Sequence, residues 1–143
     1  MIVRTFLVAA VFALVTTACG GGGGGGGGDG PAPPVVARPS SPAVLTIVDP
    51  ANEATVPPGP LTVRLDLRGA RIVDAATTVL RPDEGHIHLN LDGKLVSMAY
   101  GLEQEVEVTP GIHQLVAEFV AGDHAPFSPR VTVTRTFAVS AST

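Results

Sequence analysis

Gly85-His86-Ile87-His88-Leu89-Asn90-Leu91-Asp92-Gly93-Lys94 alternates polar and apolar side chains with a period of two and breaks at an Asp-Gly pair. Successive residues of a strand face opposite sides. Ile87, Leu89 and Leu91 therefore share a face that seeks a core, and His86, His88 and Asn90 share the other. Asp-Gly suits a two-residue hairpin loop because such loops need positive φ at both positions. Lys94 to Tyr100 is then the returning strand.

The same period recurs on both sides of this hairpin. Upstream, Val44 to Val48 forms a short apolar run ending at Asp49-Pro50, and Leu61, Val63, Leu65 and Leu67 alternate with Thr62, Arg64, Asp66 and Arg68. Downstream, Val106 and Val108 mark a short strand. His113, Leu115, Ala117 and Phe119 then alternate with Gln114, Val116, Glu118 and Val120. Val131, Val133, Arg135, Phe137 and Val139 interleave with threonines in the last run. Val73 to Leu80 is short and rich in β-branched residues, which disfavour a helix, so it reads as a loop or single turn. Seven short strands with Pro and Gly between them, all within residues 43–143, predict an all-β fold. The architecture that accommodates them is an antiparallel immunoglobulin-like β-sandwich.

Residues 1–42 cannot join that core. Arg4 precedes an apolar run of 11 residues, Thr5 to Val15, too short for a bilayer core that takes about 20 helical residues to cross. Thr16, Thr17 and Ala18 then lead into Cys19, as a cleavage site requires. Residues 1–18 are expected to be a signal peptide. The stretch resembles the lipobox of bacterial lipoproteins, which implies lipid on the Cys19 sulfur and an exported protein anchored to the periplasmic or extracellular face of a bacterial membrane. The alternative is an ordinary signal peptide cut nearby, which leaves Cys19 as a free thiol or removes it. Nine consecutive glycines, Gly20 to Gly28, and then Pro31, Pro33, Pro34, Pro39 and Pro42 make residues 19–42 a disordered linker. Cys19 is the sole cysteine, so no intrachain disulfide staples the domain. A net charge of −4 with no basic cluster argues against nucleic acid as a partner.

From Leu45 to Val139 the chain resembles an uncharacterised family of small secreted bacterial domains. The resemblance rests on Gly85-His86-Ile87-His88-Leu89 with Asp92, on Pro110-Gly111-Ile112-His113-Gln114-Leu115, and on Gly122-Asp123-His124-Ala125-Pro126-Phe127-Ser128-Pro129. The opening Asp49-Pro50-Ala51-Asn52-Glu53-Ala54-Thr55-Val56 is also similar. Ile87 stands where a further histidine is frequent in that family, and Phe127 where some members have histidine. The resemblance implies an immunoglobulin-like fold and an extracytoplasmic location, and it implies no activity.

All four histidines fall in these segments. His86 and His88 share a face, on the outside or rim of the sandwich. Antiparallel pairing of their strand with Ile112 to Val120 brings the start of the first beside the end of the second, where His124 follows. His86, His88 and His124 are therefore expected to converge at one tip, with Asp123 or Glu84 as supporting carboxylates. Neutral imidazoles with an oxygen ligand suit copper or zinc. His113 is in phase with Leu115, Ala117 and Phe119 and lies at the opposite end, so it is expected to be structural, with a ring nitrogen bonding a turn carbonyl. Met98 and Tyr100 are read as packing residues.

No Gly-x-Ser-x-Gly elbow occurs, Cys19 is spent on the anchor, and the carboxylates are scattered. The chain is therefore not expected to be an enzyme. Two readings follow. One is a non-catalytic, membrane-tethered binding module for a protein or cell-envelope ligand. The other is an extracytoplasmic metal-binding lipoprotein that holds copper or zinc on its histidines.

Overall fold

A computed structural model describes residues 37–74 and 76–141. The export signal, Cys19 and the glycine run lie outside the described residues. Among those described, the chain forms β1 (Val44–Asp49), β2 (Thr55–Val56), β3 (Gly59–Arg68), β4 (Arg71–Ile72), β5 (Glu84–Leu91), β6 (Lys94–Ser97), β7 (Glu103–Val108), β8 (Gly111–Ala121) and β9 (Pro126–Val139). Seven of these are the strands the alternation predicts; β2 and β4 are two-residue additions.

The strands make a two-sheet β-sandwich. One sheet has the order β1-β3-β7; the other runs β2-β9-β8-β5-β4, with β6 also on β5. The pairing is antiparallel except for the short contacts β2 with β9 and β4 with β5, which are parallel. Each of these two-residue strands is a brief edge addition reached by a long connection rather than by a hairpin.

Apolar faces of both sheets close on one core. Leu45, Ile47, Val63, Leu65, Val106 and Val108 come from the smaller sheet; Ile87, Leu89, Leu115, Ala117, Phe119, Phe137 and Val139 come from the larger. Fully burying a side chain the size of Val, Leu, Ile or Phe stabilises the fold by about 1.5–3 kcal/mol. Asp92 and Gly93 adopt φ of 51° and 79°, the conformation a two-residue hairpin demands of both positions.

The β8–β9 ladder matters most for the site. Phe119 pairs with Val131, whereas the next residue, Val120, pairs with Pro126. Residues 127–130 are thus extra on β9, a long bulge. The bulge drops Phe127 into the core, where it stacks on Phe119 with ring centres 5.5 Å apart. It also carries Arg130 across the outer face of the sheet to Glu118. The folded unit begins before residue 43, earlier than the proline content predicts. Arg38 and Pro39 already bond to the domain, Pro39 by accepting from the Ser128 amide at 3.0 Å.

Candidate metal centre

The β5–β8 register places His86 opposite Val120 and His88 opposite Glu118. Their side chains therefore share the outer face of the larger sheet, at the end where β8 turns into β9. Gly85 makes this pairing possible. A Cβ there would sit 2.0 Å from the Val120 carbonyl oxygen, so only glycine lets β5 run this close to β8. His124 lies in the β8–β9 turn with φ of 64°, in the left-handed region that a side chain disfavours.

The three rings meet. Nε2 of His86 is 3.0 Å from Nε2 of His88 and 3.0 Å from Nδ1 of His124. One ligand atom from each ring lies within 4.8 Å of the other two. Ring centres are 4.3 Å apart for His86 and His124, 4.9 Å for His86 and His88, and 5.8 Å for His88 and His124.

His86 is not on an open rim as its strand parity predicts: it is 1% exposed. Its cover is Tyr100, whose ring centre is 5.3 Å away. Tyr100 belongs to the segment after β6, which Gln104 secures by donating Nε2–H bonds to the carbonyls of Ala99 (3.1 Å) and Gly101 (3.2 Å). Tyr100 thus packs by one face while remaining partly exposed. Met98, read as a packing residue, is instead 46% exposed.

Burial, reinforced by the neighbouring His124 and His88 rings, lowers the His86 imidazole to about 4. His88 is also lowered, by burial and by His124 against the opposing pull of Glu118. Both rings are therefore neutral at pH 7, as metal ligands must be. A neutral imidazole nitrogen carries either one proton or one lone pair, so His86 Nε2 cannot serve both of its 3.0 Å neighbours well. A cation among three lone pairs serves all of them. Two nitrogens bound to one ion at about 2.0–2.1 Å stand roughly 3 Å apart when they subtend a near-right angle, which matches both short contacts.

The expected carboxylates do not join the histidines. Asp123 binds Arg38 through both oxygens, and Glu84 binds Arg71 and approaches Arg81. Each was near the histidines in sequence, but its arginine partner is on another segment and takes the charge. The carboxylate that faces the site is Glu118, 5% exposed and held by Arg130, with Nε 2.6 Å from Oε1. Gln104 and Glu118 were not singled out from the sequence, and Tyr100 was read only as a packing residue. Of these, only Glu118 carried a signal: it is out of phase with Leu115, Ala117 and Phe119, on the histidine face.

His113 lies at the other end of β8. Its Nε2 is 2.7 Å from the Thr109 carbonyl and its Nδ1 is 2.7 Å from an Asp92 carboxylate oxygen. Asp92 also accepts the Gln114 amide at 2.9 Å. Both ring nitrogens face acceptors, so the imidazolium satisfies both contacts. Asp92 and the Thr109 carbonyl accordingly raise its pKa. A shallow cleft of about 290 Å³ opens beside His124, lined by Ala76, Thr77, Thr78, Gly122 and Asp123.

No family model matches the chain, and no curated protein sequence does. Two solved structures are similar in outline. An engineered protein is 18% identical over 68% of this chain and 20% of its own, with a TM-score of 0.47. A structure of fibronectin(III)-like modules of CbhA from Clostridium thermocellum is 15% identical over 71% of this chain and 99% of its own, with a TM-score of 0.44. The present chain spans about a fifth of the engineered protein's length.

Proposed function

We propose that this chain is an exported, lipid-tethered, non-catalytic β-sandwich domain that binds a transition metal, copper or zinc, on His86, His88 and His124. The observation that carries the reading is the convergence of three imidazole nitrogens, with His86 Nε2 3.0 Å from a nitrogen of each partner. Three protein nitrogens leave a coordination position open. A metal on His86 Nε2 places that ring's proton on Nδ1, which is buried without a partner among the described residues. Loss of such an outer hydrogen bond typically weakens a site 10–100-fold. Together these features favour an ion that exchanges over one locked in as a structural staple. Glu118, Asp123 and Glu84 are each held by arginine. None of them is free to act as a general base, which supports a role without catalysis.

The test is a thermal melt of the full chain with Zn(II) or Cu(II). A ligand at a hundredfold excess over its Kd adds about 2.7 kcal/mol, which raises Tm by several degrees in a domain of this size. His88→Ala should remove the rise and leave the metal-free Tm nearly unchanged. No rise with either zinc or copper overturns the metal reading. The tether has its own check: Cys19→Ala should move the protein out of the membrane fraction of the producing bacterium, and unchanged membrane association contradicts a lipid on that sulfur.

The second reading, a module for a protein or cell-envelope ligand, is favoured by the exposed apolar side chains Leu95, Val96, Met98, Tyr100 and Leu102. It survives if the metal has no effect.

A further inference from the structure

His86 and His88 are fixed by β5, but His124 is not on a strand. It occupies a turn between β8 and β9 in a left-handed conformation, φ 64°, which a non-glycine residue holds only when its surroundings restrain it. The turn supplies some of its own restraint. The His124 amide donates to the Ala121 carbonyl at 2.9 Å, the Ala121 amide to the Ala125 carbonyl at 3.1 Å, and the Ala125 amide to Asp123 Oδ1 at 3.1 Å.

The remaining restraint comes from outside the turn. Arg38, 86 positions earlier than His124, reaches over from the segment that leads into β1. Its two terminal nitrogens bond both oxygens of Asp123, with Nη2 3.0 Å from Oδ1. Nη2 also donates to the Ala125 carbonyl at 2.8 Å, and Nε donates to the Pro126 carbonyl at 2.8 Å. The residues immediately before and after His124 are thus held by one guanidinium, with the bidentate geometry that Arg alone offers a carboxylate.

We propose that Arg38 is a positioning residue for the metal centre: by clasping Asp123 and Ala125 it holds the His124 ring where His86 and His88 can share an ion with it. The inference rests on the metal reading above. It also gives Asp123 a role other than that of a ligand, and it makes affinity depend on residues upstream of β1. Ligands on loops need such support if they are to be held to the sub-ångström tolerance of a binding site.

The test is calorimetric titration of the full chain with Zn(II), for the wild type, Arg38→Ala, Arg38→Lys and Arg68→Ala. Arg68 carries the same charge but pairs with Asp66 on the smaller sheet, so its removal controls for net charge. Arg38→Ala should weaken zinc binding by about 10–100-fold, the range for removing an outer-shell partner. Arg38→Lys should fall between Arg38→Ala and the wild type, and Arg68→Ala should match the wild type. In the metal-free state, amide exchange at His124 should quicken in Arg38→Ala while the amides of β5 keep their protection. Arg38→Lys also serves if Arg38→Ala does not fold. A wild type that binds zinc with the same affinity as both Arg38 variants overturns the clasp alone. A wild type that binds neither zinc nor copper overturns the metal reading, and the clasp's role falls with it.

Discussion

At the scale of single residues, the chain holds two kinds of histidine, distinguished by what faces their nitrogens. His113 meets an acceptor on each side and is stabilised as the cation; His86 is buried among other imidazoles and is held neutral. Their pH dependences run in opposite directions. The pKa of His113 is raised, so its contribution is complete below about 6.5, the unfolded value, and is lost as pH rises through the raised folded value. His113→Ala should therefore lower metal-free stability by roughly 1–3 kcal/mol at pH 6 and by less in alkali, with zinc affinity unchanged; urea unfolding across pH measures it. The pKa of His86 is depressed to about 4, so its contribution is present above about 6.5 and is lost as pH falls from there to about 4. His86→Leu should abolish metal binding and flatten that acid limb. It should leave stability at pH 7 within about 1.5 kcal/mol of the wild type, because it also removes a buried nitrogen that has no partner. An unchanged slope between pH 6.5 and 4 in His86→Leu would show that another group titrates there.

At the scale of elements, the site depends on how closely two strands approach. Gly85 precedes His86 and lies against the Val120 carbonyl. Gly85→Ala should destabilise the fold by about 1–3 kcal/mol, the usual cost of overpacking, and should reduce the zinc-induced rise in Tm by displacing His86. Retention of the full rise would mean that β5 tolerates the shift. Strand parity and the order of the segments made the β5–β8 pairing legible, and with it the meeting of His86, His88 and His124. The burial of His86 was not legible, because its cover, Tyr100, sits on a loop held by Gln104, and a period-two pattern says nothing about loops. The bulge at residues 127–130 was equally hidden. It is a ladder irregularity that shows only in the register of β8 against β9.

At the scale of the whole molecule, one core closed by two sheets presents a tip where three histidines meet and, at the opposite end of β8, His113 bonded to Asp92 and the Thr109 carbonyl. The all-β class and the sandwich were legible because Pro and Gly divide the chain into alternating runs. Long-range ion pairs were not. Arg38 and Asp123, or Arg71 and Glu84, are joined by topology alone, so Asp123 and Glu84 read as ligands when their neighbours in sequence were the only guide. The start of the folded unit was misplaced for the same reason: Arg38 sits among prolines, and its partners are more than 80 positions away. X-ray absorption at the zinc edge of the one-to-one complex tests the central claim most directly. The account predicts a nitrogen-rich inner shell at about 2.0–2.1 Å with the outer-shell pattern of three imidazoles, reduced to two in His124→Ala. A shell of oxygen alone, or one that His124→Ala leaves unchanged, would contradict it.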